Sequence, residues 1–314
     1  MKTNPNRLKF GTYPYALSAE EEERAARLHS ESIVIDMLYW GPCTYLSYTE
    51  EMENELHENL ERYGDVGKMT VLSYFQPQRM AVRGELPEFK ILWDASGITA
   101  GNKMVDGFTS MEFLSLYFGE NITMLDHLPW LIKALKAEDI RRAKSVGKHA
   151  AWINTQLAAG VGLNFIDLLE PAYNLGLRMV MLTYNSTTRI GSGCTEPNDT
   201  GLSDFGVNVV ACMNDLGIIV DTAHCGRQTT LDTCRLSTKP VVASHTSAQG
   251  VYVHDRGKGD DELRAVAETD GVIGVYTVPY FLSPDAGVGM EAMMDHIDYI
   301  CNLVGWEHVG IGTD

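Results

Sequence analysis

Eight short runs of apolar and β-branched residues recur along this chain: Ile33–Met37, Met69–Phe75, Ala150–Asn154, Met179–Tyr184, Ile218–His224, Val241–His245, Val272–Val278 and Val309–Asp314. They are near-continuously apolar rather than alternating, as parallel strands covered on both faces should be. Amphipathic helical stretches separate most of them, among them Asp204–Leu216, Asp261–Thr269 and Met290–Val304. Strand–helix alternation builds βαβ units, and eight such strands predict an α/β chain closed into a (β/α)8 TIM barrel. An open doubly wound sheet would favour a Gly-rich phosphate loop after an early strand. Neither G-x-G-x-x-G nor a P-loop occurs.

The 314 residues read as one barrel domain. Residues 1–31 form a helical lead-in, with a helix opened by the capping box Ser18-Ala19-Glu20-Glu21 and running to about His29. The widest gap follows the second run. Residues 76–127 read as an insertion at the barrel mouth, irregular over Gly84–Asn121, and a helix is expected over Leu128–Ser145. A barrel normally covers its eighth strand with a helix; here the eighth run ends at Asp314, so the sequence reads as truncated after that strand.

Charge narrows the partners. Against 42 Asp and Glu stand 25 Lys and Arg, a net −17 that repels nucleic acid and anionic membrane surfaces. No run approaches the ~18 apolar residues of a membrane span, and the N-terminus lacks an apolar signal core. The six cysteines (43, 194, 212, 225, 234 and 301) show no CxxC spacing and read as free thiols of a reducing, cytoplasmic setting.

Catalytic groups of a barrel sit at the C-terminal ends of its strands. The fifth and sixth runs end in His224 and His245, two imidazoles on consecutive strand ends that can converge on one cation such as zinc. The alternative for each is a hydrogen-bonded loop histidine. Asp314, ending the eighth run, can accept a proton or cap a loop. Arg256, in a loop after the sixth run, can clamp a carboxylate or pair with Asp260 or Asp261. Tyr184 and Asn185 end the fourth run, and Cys194 follows in a flexible loop. A Cys-dependent enzyme built on Cys194 or Cys225 is a third reading.

The segments GLSDFGVNVVACMNDLGIIVDTAH, KPVVASHTSA, HDRGKGDDELRAVAETDGVIGVY and HVGIGTD, in that order and spacing, resemble the membrane (renal) dipeptidase family over about Gly147–Asp314, and SESIVIDM fits its first strand. The resemblance implies a metal-dependent barrel that hydrolyses dipeptides with two zinc ions, and a homodimer. It implies that His224 and His245 ligate one metal, that Arg256 holds the substrate carboxylate, and that Asp314 handles protons beside the substrate amine.

Three features of the family pattern are missing. Leu38 and Trp40 replace the His and Asp of the first-strand H-x-D pair. Gln156 stands at the bridging Glu, and Tyr184 at the histidine expected to stabilise the oxyanion. The reading that follows is a dipeptidase-like hydrolase with one zinc rather than two. His224 and His245 are its metal ligands, Asp314 and Tyr184 its catalytic groups, and Arg256, Tyr184, Asn185 and Gln156 its substrate contacts. The competing reading is an inactive barrel that binds a carboxylate ligand without metal.

Overall fold

The computed structural model describes residues 16–39, 50–64, 75–104, 111–156, 164–285, 287 and 289–314. In chain order its elements are α1 (Ala19–Glu31), α2 (Glu50–Tyr63), α3 (75–82), α4 (Glu88–Ser96), β1 (Ala100–Met104), α5 (Met111–His127), β2 (Leu131–Lys133), α6 (Ala137–Ser145), β3 (His149–Thr155), α7 (Phe165–Leu175), β4 (Leu177–Met181), α8 (Asp204–Leu216), β5 (Ile219–Asp221), α9 (Arg227–Leu236), β6 (Val241–Thr246), α10 (Asp260–Glu268), β7 (Ile273–Val275), α11 (Pro279–Leu282), α12 (Met290–Val304) and β8 (Val309–Ile311). The described residues fall into two compact units, one drawn from 1–34, 40–100 and 120–151, the other from 35–39, 101–119 and 152–314.

In the first unit the Ser18 side chain accepts the Glu21 N–H at 3.3 Å while Glu21 accepts the Ser18 N–H at 2.8 Å, so the expected capping box starts α1. Trp93 of α4, fully buried, packs its ring 6.1 Å from Trp130 and 5.2 Å from His149. Strand β2 pairs in parallel with the start of β3, Leu131 opposite His149.

The second unit carries the barrel. Its strands follow the order β1-β3-β4-β5-β6-β7-β8, with every neighbouring pair from β3 to β8 parallel. Residues 35–39 fill the remaining place: Met37 N–H donates to Ile311 O at 3.0 Å, and Asn102 of β1 accepts Tyr39 N–H at 3.2 Å and donates to Met37 O. The (β/α)8 barrel is therefore closed, as expected. Helices α8 and α12 have the expected bounds. Ser203 caps α8 by accepting Gly206 N–H at 3.0 Å. Leu263, Val266, Ile273, Val275, Met293 and Ile300 form a buried core between α10, α12 and β7.

Three expectations are corrected. The second barrel strand is β1, inside the stretch 84–121 expected to be irregular, which instead holds α4, β1 and most of α5. Of the expected second strand, Met69–Phe75, residues 69–74 lie outside those described and Phe75 belongs to α3. Strand β1 reads AGNKM, poor in β-branched residues, and pairing rather than propensity holds it. The expected helix Leu128–Ser145 is α6 alone, because Leu131–Lys133 joins the sheet. The five described cysteines are free, and no helix among the described residues is long and apolar enough to cross a membrane.

Candidate metal centre

Strands β5 and β6 are in register, Asp221 opposite Val242, so the positions three residues further along each chain are His224 and His245. His224 lies three residues beyond β5 and His245 within β6. Their Nε2 atoms are 2.9 Å apart, and both side chains are buried. Two nitrogens at the ~2.0–2.1 Å bond length of zinc would subtend roughly 90° at one ion at that separation. The pair therefore fits two neighbouring positions on one metal.

The outward ring nitrogens are both engaged. His224 Nδ1 meets Asn185 Oδ1 at 2.7 Å, and His245 Nδ1 meets Ser244 Oγ at 2.7 Å. Ser244 Oγ donates onward to Asp221 Oδ2 at 2.5 Å. Metal-ligating histidines use their second nitrogen in this way, to fix tautomer and orientation. Burial, with the nearby Arg256 charge adding to it, holds both imidazoles well below their usual pKa, so both are neutral and able to ligate at neutral pH.

Tyr184 stacks on His224, ring centroids 4.0 Å apart and planes 20° from parallel. Arg256 is 3% exposed; Nη1 donates to Ala223 O at 2.6 Å and Nη2 to His245 O at 3.1 Å, so it staples the chain beside both histidines. Its Nε is buried without a partner. The alternative pairings of Arg256 do not form: Arg227 takes Asp261, and Tyr299 donates to Asp260. Asp314, with φ at 66°, donates its N–H to Leu38 O at 3.1 Å, and Arg256 and Asp36 are the charged groups its carboxyl faces. Gly312 lets β8 pass close to this centre, since a Cβ there would collide with the Ser244 carbonyl.

Gln156 follows β3 and is buried with its Nε2 unpartnered, as are both amide atoms of Asn154 and the Thr155 hydroxyl. Leu38 is 1% exposed, so the position where the resemblance would put a histidine is filled by apolar bulk; Trp40 lies outside the described residues. Among the described residues no group of three His, Cys, Asp or Glu side chains converges on a metal position. Among the described residues the donor set offers one ion two imidazoles.

The thiols do not suit nucleophilic work. Burial pushes Cys225 up to about 11 and raises Cys194, whose Sγ lies 3.5 Å from Asn185 Oδ1. Asp221 and Ser244 were missed in the sequence because they sit inside apolar runs and read as strand interior.

A sequence profile of the membrane dipeptidase family (peptidase family M19) matches residues 22–314. A curated relative, an uncharacterized dipeptidase of Schizosaccharomyces pombe, is 37% identical over 152 residues, 47% of this chain; the match spans only 37% of that relative's length. Among solved structures, an amidohydrolase from Pseudomonas aeruginosa is similar with a TM-score of 0.69 and 29% identity, over 92% of this chain and 76% of that one. A metallopeptidase from Rhodobacter sphaeroides, liganded with a phosphinate mimic of the dipeptide L-Ala-D-Ala, shares the fold at 20% identity and a TM-score of 0.66, over 90% and 85% of the two chains.

Proposed function

Because the chain belongs to the membrane dipeptidase family, we propose that it is a dipeptidase-like hydrolase using one zinc ion rather than two, on a dipeptide or small amide with a free carboxylate. The observation that carries this reading is the pair of Nε2 atoms 2.9 Å apart, each on a ring anchored through its other nitrogen.

His224 and His245 would hold the ion, which when bound supplies an activated water and polarises the scissile carbonyl. Everything else falls to the chain. Each terminal nitrogen of Arg256 gives one of its two N–H groups to Ala223 O or His245 O, and the remaining N–H groups, Nε–H among them, would meet the substrate carboxylate. Tyr184, whose ring lies against His224, would donate a hydrogen bond to the developing oxyanion. Asp314 would take the proton and pass it to the leaving amine. Gln156 offers its unpartnered amide to the substrate, and Asn185 serves chiefly by orienting His224.

The test is metal content by inductively coupled plasma mass spectrometry on chelator-free protein, followed by a dipeptide hydrolysis screen. One zinc per chain, lost in His224→Ala together with hydrolysis, is the expected result. A metal-free protein that binds dipeptides without cleaving them would replace this reading with the carboxylate-binding one.

A further inference from the structure

The two imidazoles meet through Nε2 atoms that both need to be bare if a cation is to sit between them, and the hydrogen-bond network decides whether they are. Asp221 is fully buried. Its Oδ1 accepts two backbone donors, Ala223 N–H at 3.0 Å and Ser244 N–H at 2.9 Å. Its Oδ2 accepts the Ser244 hydroxyl at 2.5 Å. A hydroxyl has one proton. With Asp221 ionised, the hydroxyl proton goes to its carboxylate, Ser244 Oγ shows only lone pairs to His245 Nδ1, 2.7 Å away, and that nitrogen carries the hydrogen. On the neighbouring strand end, Asn185 Oδ1 imposes the same tautomer on His224.

We propose that Asp221, acting through Ser244, is a positioning residue that fixes the tautomer of His245 so that its Nε2 lone pair is presented to the metal. This rests on the single-metal reading above. Neither residue touches the metal position; their effect runs through the direction of two hydrogen bonds. The direction is locked by the backbone. Because two N–H groups occupy one oxygen of residue 221, an amide substituted there has to keep its oxygen on them. Its NH2 group then falls where Oδ2 was, and donates to Ser244 Oγ. The serine proton turns to His245 Nδ1, and the hydrogen of the ring moves to Nε2, pointing at the metal position.

Asp221→Asn is therefore expected to do more than weaken the network: it reverses it. Ser244→Ala only cuts it, leaving the ring free to take either tautomer. A control is present in the same barrel. Asp36 accepts Leu38 N–H at 3.0 Å and Thr313 N–H at 2.9 Å on one oxygen and the Thr313 hydroxyl at 2.6 Å on the other, and among the described residues no imidazole is bonded to that hydroxyl.

The experiment measures zinc affinity by competition with a chromophoric chelator, and melting temperature without metal, for the full chain and three variants. The expected result is a loss of about 10–100-fold in affinity for Asp221→Asn, a smaller loss for Ser244→Ala, and unchanged affinity for Asp36→Asn, with all melting cooperatively. Cobalt(II) substitution adds a spectroscopic signature: the ligand-field bands of the wild type should be lost or shifted in Asp221→Asn alone. Zinc affinity in Asp221→Asn equal to wild type, or a loss in Ser244→Ala as large or larger, overturns the proposal alone. A wild-type chain that takes up no zinc overturns it together with the single-metal function.

Discussion

Asp36 and Asp221 occupy two arms of the barrel mouth that are built alike and loaded differently. Each carboxylate accepts the backbone N–H two residues ahead and the backbone N–H and hydroxyl of a residue on a neighbouring strand end, Thr313 in one arm and Ser244 in the other. Each hydroxyl residue precedes a candidate site residue, Asp314 after Thr313 and His245 after Ser244. Beyond Ser244 lies a buried imidazole facing a second one. On the Asp36 side, the residue two ahead is the buried Leu38. A strand-end staple and a candidate metal site are therefore separable. The staple aligns strand ends by satisfying backbone donors in the interior; what it carries is set by one or two side chains beside it.

The largest expected effect concerns what lies beneath the imidazole arm. Lys258 is 2% exposed and donates to Cys225 O at 2.8 Å and Thr230 Oγ1 at 2.7 Å, with Glu262 Oε1 3.0 Å away. It ties the segment following His224 to α9 and α10. Lys258→Met leaves Glu262 as an unpaired buried carboxylate, so a loss of about 3–5 kcal/mol in chemical denaturation is expected. A loss under about 1 kcal/mol would mean that the arm stands on packing alone.

A smaller effect of opposite sign is expected at the end of β3. Both amide atoms of Asn154 are buried and unpartnered, a cost of about 1–3 kcal/mol against an apolar group of the same shape. Asn154→Leu should raise the denaturation midpoint. If Asn154 is held ready for substrate, the same variant should raise KM for the best dipeptide while leaving zinc content unchanged. A destabilised variant would show that the amide has a role in the fold.

The barrel was legible because its strands from β3 to β8 are apolar runs broken by amphipathic helices, and periodicity reports burial. β1 was not, since AGNKM gains its place from neighbouring strands rather than from its own composition. The histidine pair was visible as polar residues ending apolar runs. Asp221 and Ser244 were invisible for the complementary reason: a buried polar residue inside an apolar run declares itself only when its partner, 23 positions away in sequence, is seen beside it. Arg256 was legible as a loop cation but not as a staple, because its acceptors are backbone carbonyls, which carry no sequence signature.

The most delicate test of the paired arms is their pH dependence, since burial raises the carboxyl of Asp36 against the lowering effect of its Thr313 and Leu38 hydrogen bonds. A carboxyl with a raised folded-state pKa binds its proton more tightly in the folded chain than in the unfolded one. The stability it contributes is therefore present in full below the ordinary value of 3.8 and is lost as pH rises through the folded-state pKa. Asp36→Asn removes that loss. Its amide can keep Oδ1 on the Leu38 and Thr313 N–H groups and donate to the Thr313 hydroxyl, which is free to turn. Melting curves of the variant and wild type should thus coincide near pH 4 and separate towards pH 8, the variant being the more stable. Burial raises Asp221 in the same direction, so Asp221→Asn should show the same separation while losing zinc affinity that Asp36→Asn keeps. Were the Asp36→Asn curve to fall below wild type as pH rises, ionised Asp36 would be holding strand ends together more strongly than its burial costs, and the two arms would differ in their staples as well as in what the staples carry.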